Sequence, residues 1–292
     1  MPPETKTVAI AGAGPAAQAI GRALRECGVG IAYLASRNPD HAKAAAAFIG
    51  EGVRAVDYGD IPLYASHALV AVSDRAIAPV AEELARANGT LRVALHTCGS
   101  YGPEALAPLN AAGVSCGSIH PLQTLRDASQ GAAALRGAAF AVSGDSAALS
   151  WAEELARALG GRILRIRPDG RHLYHAAAVM ASNYIVALLD CAGQLMALAG
   201  VPQEDALRAL APLAQASVAN AVRHGAVEAL TGPIARGDAA TVAEHARALE
   251  GAEPSIVELY KAAGLHTLRM ARKRGLGDED AERVRRALLG RQ

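Results

Sequence analysis

Apolar positions follow two rhythms along the 292-residue chain. In the first half, short, mostly apolar strand-like runs recur at residues 8–11, 30–35, 68–72, 91–96 and 138–142, and 68–72 is continuously apolar. Such runs fit strands buried on both faces of a parallel sheet. Helix-like stretches separate them, at 18–27, 40–49, 76–87 and 147–159, and shorter strands are expected at 53–56 and 161–166. Strands alternating with helices predict a doubly wound α/β sheet, which binds ligands beyond the carboxyl ends of its strands. After the turn Pro168-Asp169-Gly170 the rhythm changes. A long, mostly apolar helix is expected over 171–200, then helices at 203–221, 239–249, 255–270 and 279–289. The chain therefore divides into an α/β domain, 1–168, and an all-α domain, 169–292.

The first apolar run ends in Gly12-Ala13-Gly14-Pro15-Ala16-Ala17 and leads into a helix. Strand, glycine turn and helix start come in the order of a dinucleotide-binding fingerprint. Gly12 would make the sharp turn, Gly14 would let a pyrophosphate approach the backbone, and Ala17 would allow close helix packing. Pro15 suits a first helical turn, and the free N–H groups around Ala16 and Ala17 face the phosphates.

Composition narrows the partners. Aromatics make up 3% of the chain and the net charge is +1, which argues against stacking platforms or charged surfaces for nucleic acid or membrane. Cys27, Cys98, Cys116 and Cys191 show no CxxC spacing, so free thiols in a reducing, cytoplasmic setting are expected. The N-terminus shows no signal-peptide pattern. The longest helical stretch carries His, Asn, Asp and Gln, unlike a membrane span. There is no HExxH, GxSxG or metal-ligand cluster.

Candidate chemistry gathers at the predicted strand ends. The second strand ends in Ser36-Arg37, where NAD binders place an acid for the ribose. A hydroxyl and a guanidinium suit a 2′-phosphate instead, which points to NADP; the alternative is a solvated Arg37, with Asp40 on the ribose. Ser73, Thr97 and Ser100 sit at the ends of the next strands. Ser118, His120, Gln123 and Thr124 follow from another. His120 suits proton exchange near neutral pH. On the long helix, Asn183 lies near one face with His172 and Val179, and His175 lies to the side. Arg236, in the Gly/Pro loop 230–238, suits bidentate binding of a substrate carboxylate. Asp238 in that loop reads as a helix cap, and Trp151 reads as a core anchor.

AGAGPAAQAIGRAL, HTCGS, GSIHPLQTL, YHAAAVMASNYIVALLD and LTGPIARGD, in that order, resemble the Rossmann-like proteins with a C-terminal domain of unknown function 2520. These are similar to the 6-phosphogluconate dehydrogenase-like superfamily of NADP- or deazaflavin-linked oxidoreductases. The resemblance implies an N-terminal Rossmann domain, an all-helical C-terminal domain, and a homodimer built through the helices. It places His120 and Ser100 where prephenate dehydrogenases have a catalytic His and Ser. It also places Asn183 at the Asn of the β-hydroxyacid dehydrogenase Lys-xxx-Asn pair, but Val179 stands at the Lys. The expected function is therefore NADP-dependent hydride transfer to or from a small carbonyl, imine or hydroxy acid. The alternatives are a cofactor-binding sensor without turnover, and a deazaflavin-dependent NADP reductase.

Overall fold

The computed structural model describes residues 6–290. The chain forms two compact units, 1–182 and 183–292. The division falls after the expected 168, because the helix that follows Pro168-Asp169-Gly170 packs with the first unit.

The first unit is built on eight strands: β1 (Val8–Ala11), β2 (Ile31–Ala35), β3 (Arg54–Val56), β4 (His67–Val70), β5 (Val93–His96), β6 (Ser115–Pro121), β7 (Ala139–Gly144) and β8 (Arg162–Arg165). They form one sheet in the order β3-β2-β1-β4-β5-β6-β7-β8. Strands β1 to β6 run parallel, β7 runs antiparallel to β6, and β8 runs parallel to β7. The order reverses between β1 and β4, which opens a crevice at the carboxyl ends there. This is the expected Rossmann sheet.

Helices α1 (Pro15–Glu26), α2 (Pro39–Ile49), α3 (Ile61–Tyr64), α4 (Ile77–Ala85), α5 (Ala107–Ala111), α6 (Ala128–Ala134), α7 (Ser146–Ala158) and α8 (Arg171–Ala181) complete the unit. Alternate residues of each strand point to opposite faces. Ile10, Leu69, Leu95 and Phe140 join a core with α1, α2 and α7, including Trp151. Ala9, Val70, Ala94 and Cys116 join a second core with α4 and α5. Burial on both faces explains the mostly apolar runs. Acidic or amide side chains start several helices: Asn38 accepts from Asp40 N at 2.9 Å, and Asp145 accepts from Ala148 N at 3.1 Å.

The second unit holds α9 (Asn183–Leu198), α10 (Gln203–His224), α11 (Ala239–Ala248), α12 (Pro254–Lys273) and α13 (Asp278–Leu289). Val242, Leu268, Ala281, Val284 and Leu288 make a small core where α11, α12 and α13 meet. Asp238 caps α11 as expected, accepting from Thr241 N at 3.1 Å. The helix expected over 171–200 is in fact two, α8 and α9. The break falls at Ser182, whose φ of −127° and ψ of −78° leave the helical region. The stretch 168–198 is long and apolar enough by length and composition to cross a membrane, with mean hydropathy 1.5. It carries His172, His175, Asn183, Asp190 and Gln194 as well as that break.

Candidate active site

The glycine turn joins β1 to α1. Gly12 has a φ of +130°, and a Cβ there would lie 2.1 Å from the Ala71 carbonyl oxygen. Only glycine fits this turn, because the chain passes against β4 in a conformation closed to other residues. At Gly14 a Cβ would meet nothing within 4 Å. No side chain caps α1, and its first turn holds no acid. An open cradle before an uncapped helix N-terminus, with its positive dipole end, is suited to a phosphate. The Gln18 amide donates to the Ala13 carbonyl at 2.9 Å and holds the loop's shape. Ala17 is fully buried. One turn later, a Cβ on Gly21 would lie 2.5 Å from Ile49 Cδ1 and 2.8 Å from Ile10 Cδ1, so Gly21 also sets the close packing of α1.

At the end of β2, Ser36 is half-buried and Arg37 is exposed. Arg37 makes no ion pair among the described residues, while the neighbouring Asn38 is engaged in capping α2. A guanidinium left free beside the ribose end of the cradle fits a phosphate partner. Ser73 is exposed and Thr97 half-buried, at the ends of β4 and β5. Together these residues fit a pyridine dinucleotide laid across the crevice.

A polar row crosses the sheet at its carboxyl edge. His96 of β5 pairs in register with Ser118 of β6, and Ser118 with Ser143 of β7. His96 and Ser118 have no exposed surface. His96 Nε2 bonds the Gly102 carbonyl at 2.7 Å, and Nδ1 accepts from Cys98 N at 3.2 Å. Both ring nitrogens are thus used to shape the HTCGS loop, and burial holds this imidazole below its ordinary pKa, in the neutral form. Ser118 Oγ and Ser143 Oγ lie 2.9 Å apart, and Arg171 Nη2 donates to Ser143 Oγ at 2.5 Å. Ser100 Oγ lies 3.1 Å from Cys98 Sγ.

His120 sits two residues beyond Ser118 on the same face of β6. Its ring lies over Gly99, where a Cβ would come within 2.8 Å of Nε2. Its Nδ1 is 2.7 Å from the Tyr174 hydroxyl of α8, with the two rings edge to face at 5.7 Å. Burial first, then the positive fields of His175 and Arg171, pull the His120 pKa down to about 4. Burial pushes the Tyr174 phenol up to about 12. At neutral pH both groups are uncharged, joined by one hydrogen bond.

The structure thus brings together His120, His175, Tyr174 and Arg171 at the end of β6, close to the HTCGS loop. Gln123 and Thr124 are exposed and engaged with each other: Gln123 Oε1 accepts from Thr124 N at 2.8 Å, and Gln123 Nε2 donates to the Ala134 carbonyl at 3.3 Å. Asn183 is the first residue of the second unit and is exposed, without a hydrogen-bonding partner among the described residues. Arg236 is also exposed and belongs to the second unit. It lines a cavity of about 480 Å³ with Arg274, Thr231 and Gly232. Among the described residues no cluster of His, Cys, Asp and Glu is arranged to hold a metal ion.

Comparison with known proteins agrees with the Rossmann-like fold. Residues 7–93 match the family model described as NADP oxidoreductase, coenzyme F420-dependent, and residues 138–267 match the domain of unknown function DUF2520. The chain is a Rossmann-like oxidoreductase with a DUF2520 domain. The protein TM1727 from Thermotoga maritima is 26% identical, with a TM-score of 0.73 over 92% of this chain and 99% of that one. A candidate NADP oxidoreductase from Bacteroides fragilis shows 21% identity and a TM-score of 0.73, over 91% and 99% of the two chains. A pyrroline carboxylate reductase of Plasmodium falciparum, solved with NADP bound, shares the fold at 10% identity, with a TM-score of 0.61 over 96% and 99%. No curated protein matches the chain in sequence.

In this oxidoreductase, three residues escape a reading of the sequence: His96 at the end of β5, and Arg171 and Tyr174 on α8. Tyr174 and Arg171 reach His120 and Ser143 across long sequence separations, which no local pattern encodes. His96 carried a signal, since a histidine closing an apolar run must satisfy its ring nitrogens once buried.

Proposed function

We propose that the protein transfers a hydride between NADP(H) and a small carbonyl, imine or hydroxy-acid substrate, with His120 as the proton carrier. The observation that supports this most is the 2.7 Å bond between His120 Nδ1 and Tyr174 at the end of β6. Bound NADPH supplies the hydride. The turn of Gly12, Gly14, Pro15, Ala16 and Ala17 holds the pyrophosphate, Ser36 and Arg37 hold the 2′-phosphate, and Ser73 and Thr97 line the strand ends. We assign the Tyr174 hydroxyl as donor to Nδ1, which leaves the imidazole proton on Nε2. A neutral imidazole then gives its Nε2 proton to the substrate heteroatom as charge develops there, while Nδ1 draws on Tyr174. Burial, reinforced by the field of Arg171, keeps His120 from ionising in the resting state. Ser100 and His175 flank this position. Asn183, Gln123, Thr124 and Arg236 are further candidates for the substrate. The reading includes a cytoplasmic homodimer formed through the helical unit, supported by free cysteines and by apolar helix faces left exposed.

The test is NADPH consumption across a panel of 2-oxo acids, cyclic imines and aldehydes. One class should be reduced, and His120→Gln should lower kcat about 100-fold while leaving NADPH binding intact. Tight NADPH binding with no turnover of any substrate would contradict the enzyme reading. The match of residues 7–93 to a coenzyme F420-dependent family favours one further reading, hydride exchange with a reduced deazaflavin. Oxidation of that reductant by NADP would support it.

A further inference from the structure

The loop between α10 and α11 is held at several points and walls a cavity within the second unit. Ile234 is buried in the small helical core. Asp238 N donates to the Pro233 carbonyl at 2.9 Å and Gly237 N to the Ile234 carbonyl at 3.2 Å, so the backbone turns back on itself. Arg274, which ends α12, donates from Nη1 to the Leu230 carbonyl and ties the start of the loop to that helix. The cavity has a volume of about 480 Å³, room enough for a small molecule. Thr231, Arg236 and Arg274 line it together with apolar Leu230, Ala271 and Leu276.

The charge of this lining is one-sided. No carboxylate lines the cavity. Arg236 is exposed and forms no ion pair among the described residues. Arg274 Nε lies 3.8 Å from Glu228 Oε2, too far for a hydrogen bond, and its Nη2 has no partner among the described residues. The other carboxylates near the loop are engaged elsewhere. Asp238 accepts from Thr241 N at 3.1 Å and from Thr241 Oγ1 at 2.7 Å, Asp278 pairs with Arg272, and Asp280 pairs with Arg283. The last carbonyls of α12, which would repel an anion, are covered by their own chain. Met270 O accepts from Arg274 N at 3.2 Å, Ala271 O from Leu276 N at 3.1 Å, and Arg272 O from Gly275 N at 3.1 Å. Two guanidinium groups and a hydroxyl beside an apolar wall suit the oxyanion of a small acid, because arginine matches carboxylate and phosphate with paired N–H donors.

We infer that this cavity is a binding site for a small dianionic metabolite, held through a carboxylate or phosphate group by Arg236, Arg274 and Thr231. The inference names by chemical class what Arg236 binds, and it adds two residues to the site. It does not depend on hydride transfer: a protein that held NADPH without turnover would keep the same cavity.

The test titrates succinate, inorganic phosphate and the uncharged succinamide into the full-length protein by calorimetry at low salt. NADP⁺ is present throughout, so that the phosphate sites of the cofactor are filled. Succinate or phosphate should bind saturably, and succinamide should bind at least about 10-fold more weakly than succinate. Binding of succinate alone assigns a carboxylate ligand, and binding of phosphate alone assigns a phosphate ligand. Arg236→Gln should weaken the bound anion about 10-fold, and Arg236→Lys should weaken it less. The double variant Arg236→Gln with Arg274→Gln should abolish binding, while NADPH binding, followed by its fluorescence, persists as the check on folding. Absence of saturable binding of either anion, equal binding of succinate and succinamide, or an affinity unchanged in Arg236→Gln would overturn the inference. Each of these results leaves NADPH consumption untouched, whereas a protein that reduces nothing would bring down the hydride-transfer reading and leave this site standing.

Discussion

The two units solve the burial problem differently. In the first, every central strand is covered on both faces, and even its polar residues are sequestered, as His96 and Ser118 show. In the second, α11, α12 and α13 close a small core, but α9 and α10 each bury a single residue, Gly193 and Ala206. Val186, Leu198, Leu213 and Val222 are exposed by 64% or more. A rigid sheet holds reacting groups in fixed geometry. Helices with uncovered apolar faces are suited to association. The contrast supports the proposal of chemistry in the first unit and assembly through the second.

The largest effect should come from Gly12→Val. It forces a branched side chain into a positive φ and into the Ala71 carbonyl, which should cost more than about 3 kcal/mol. For a unit of this size that corresponds to a loss of about 10 °C in Tm, measurable by thermal unfolding. A stable, NADPH-binding Gly12→Val protein would break the account of the turn. Next, the double variant Val186→Glu with Val222→Glu should convert a dimer, twice 29.9 kDa by light scattering, into a monomer that still binds NADPH. A wild-type protein that is monomeric at all concentrations would remove the assembly role of the second unit. The smallest effect is expected for Arg37→Ala. It should weaken NADPH about 10-fold, the worth of one charge-assisted phosphate contact, with NADH binding unchanged. Equal losses for both cofactors would count against the 2′-phosphate role.

What the sequence discloses depends on how local the cause is. The glycine turn is read correctly because its requirement, a tight passage from β1 to α1, is contained in six residues. The strands are legible because two-sided burial imposes mostly apolar runs. The end of α8 is not legible: apolar periodicity continues through Ser182, and the break is a matter of backbone conformation without a Gly or Pro to mark it. The His120 cluster is half legible. His120 stands out beside Pro121, but Tyr174 and Arg171 look like ordinary residues at the start of a helix. Only the folded register, which sets Ser143 against Ser118, reveals where α8 places them. Gln123, conspicuous in the sequence, has local partners in the fold, Thr124 N and the Ala134 carbonyl of α6.

The central claim is that His120 carries the proton as a neutral imidazole supported by Tyr174. The most direct measurement is kcat for NADPH-dependent reduction between pH 5 and pH 8, in the wild-type protein and in His120→Gln. With the His120 pKa drawn down to about 4, the imidazole is uncharged throughout that range. The wild-type profile should therefore show no break near 6.5, the ordinary histidine value, and His120→Gln should lie about 100-fold lower at every pH. A break near 6.5 that vanishes in His120→Gln, or a variant as fast as the wild type, would contradict the account.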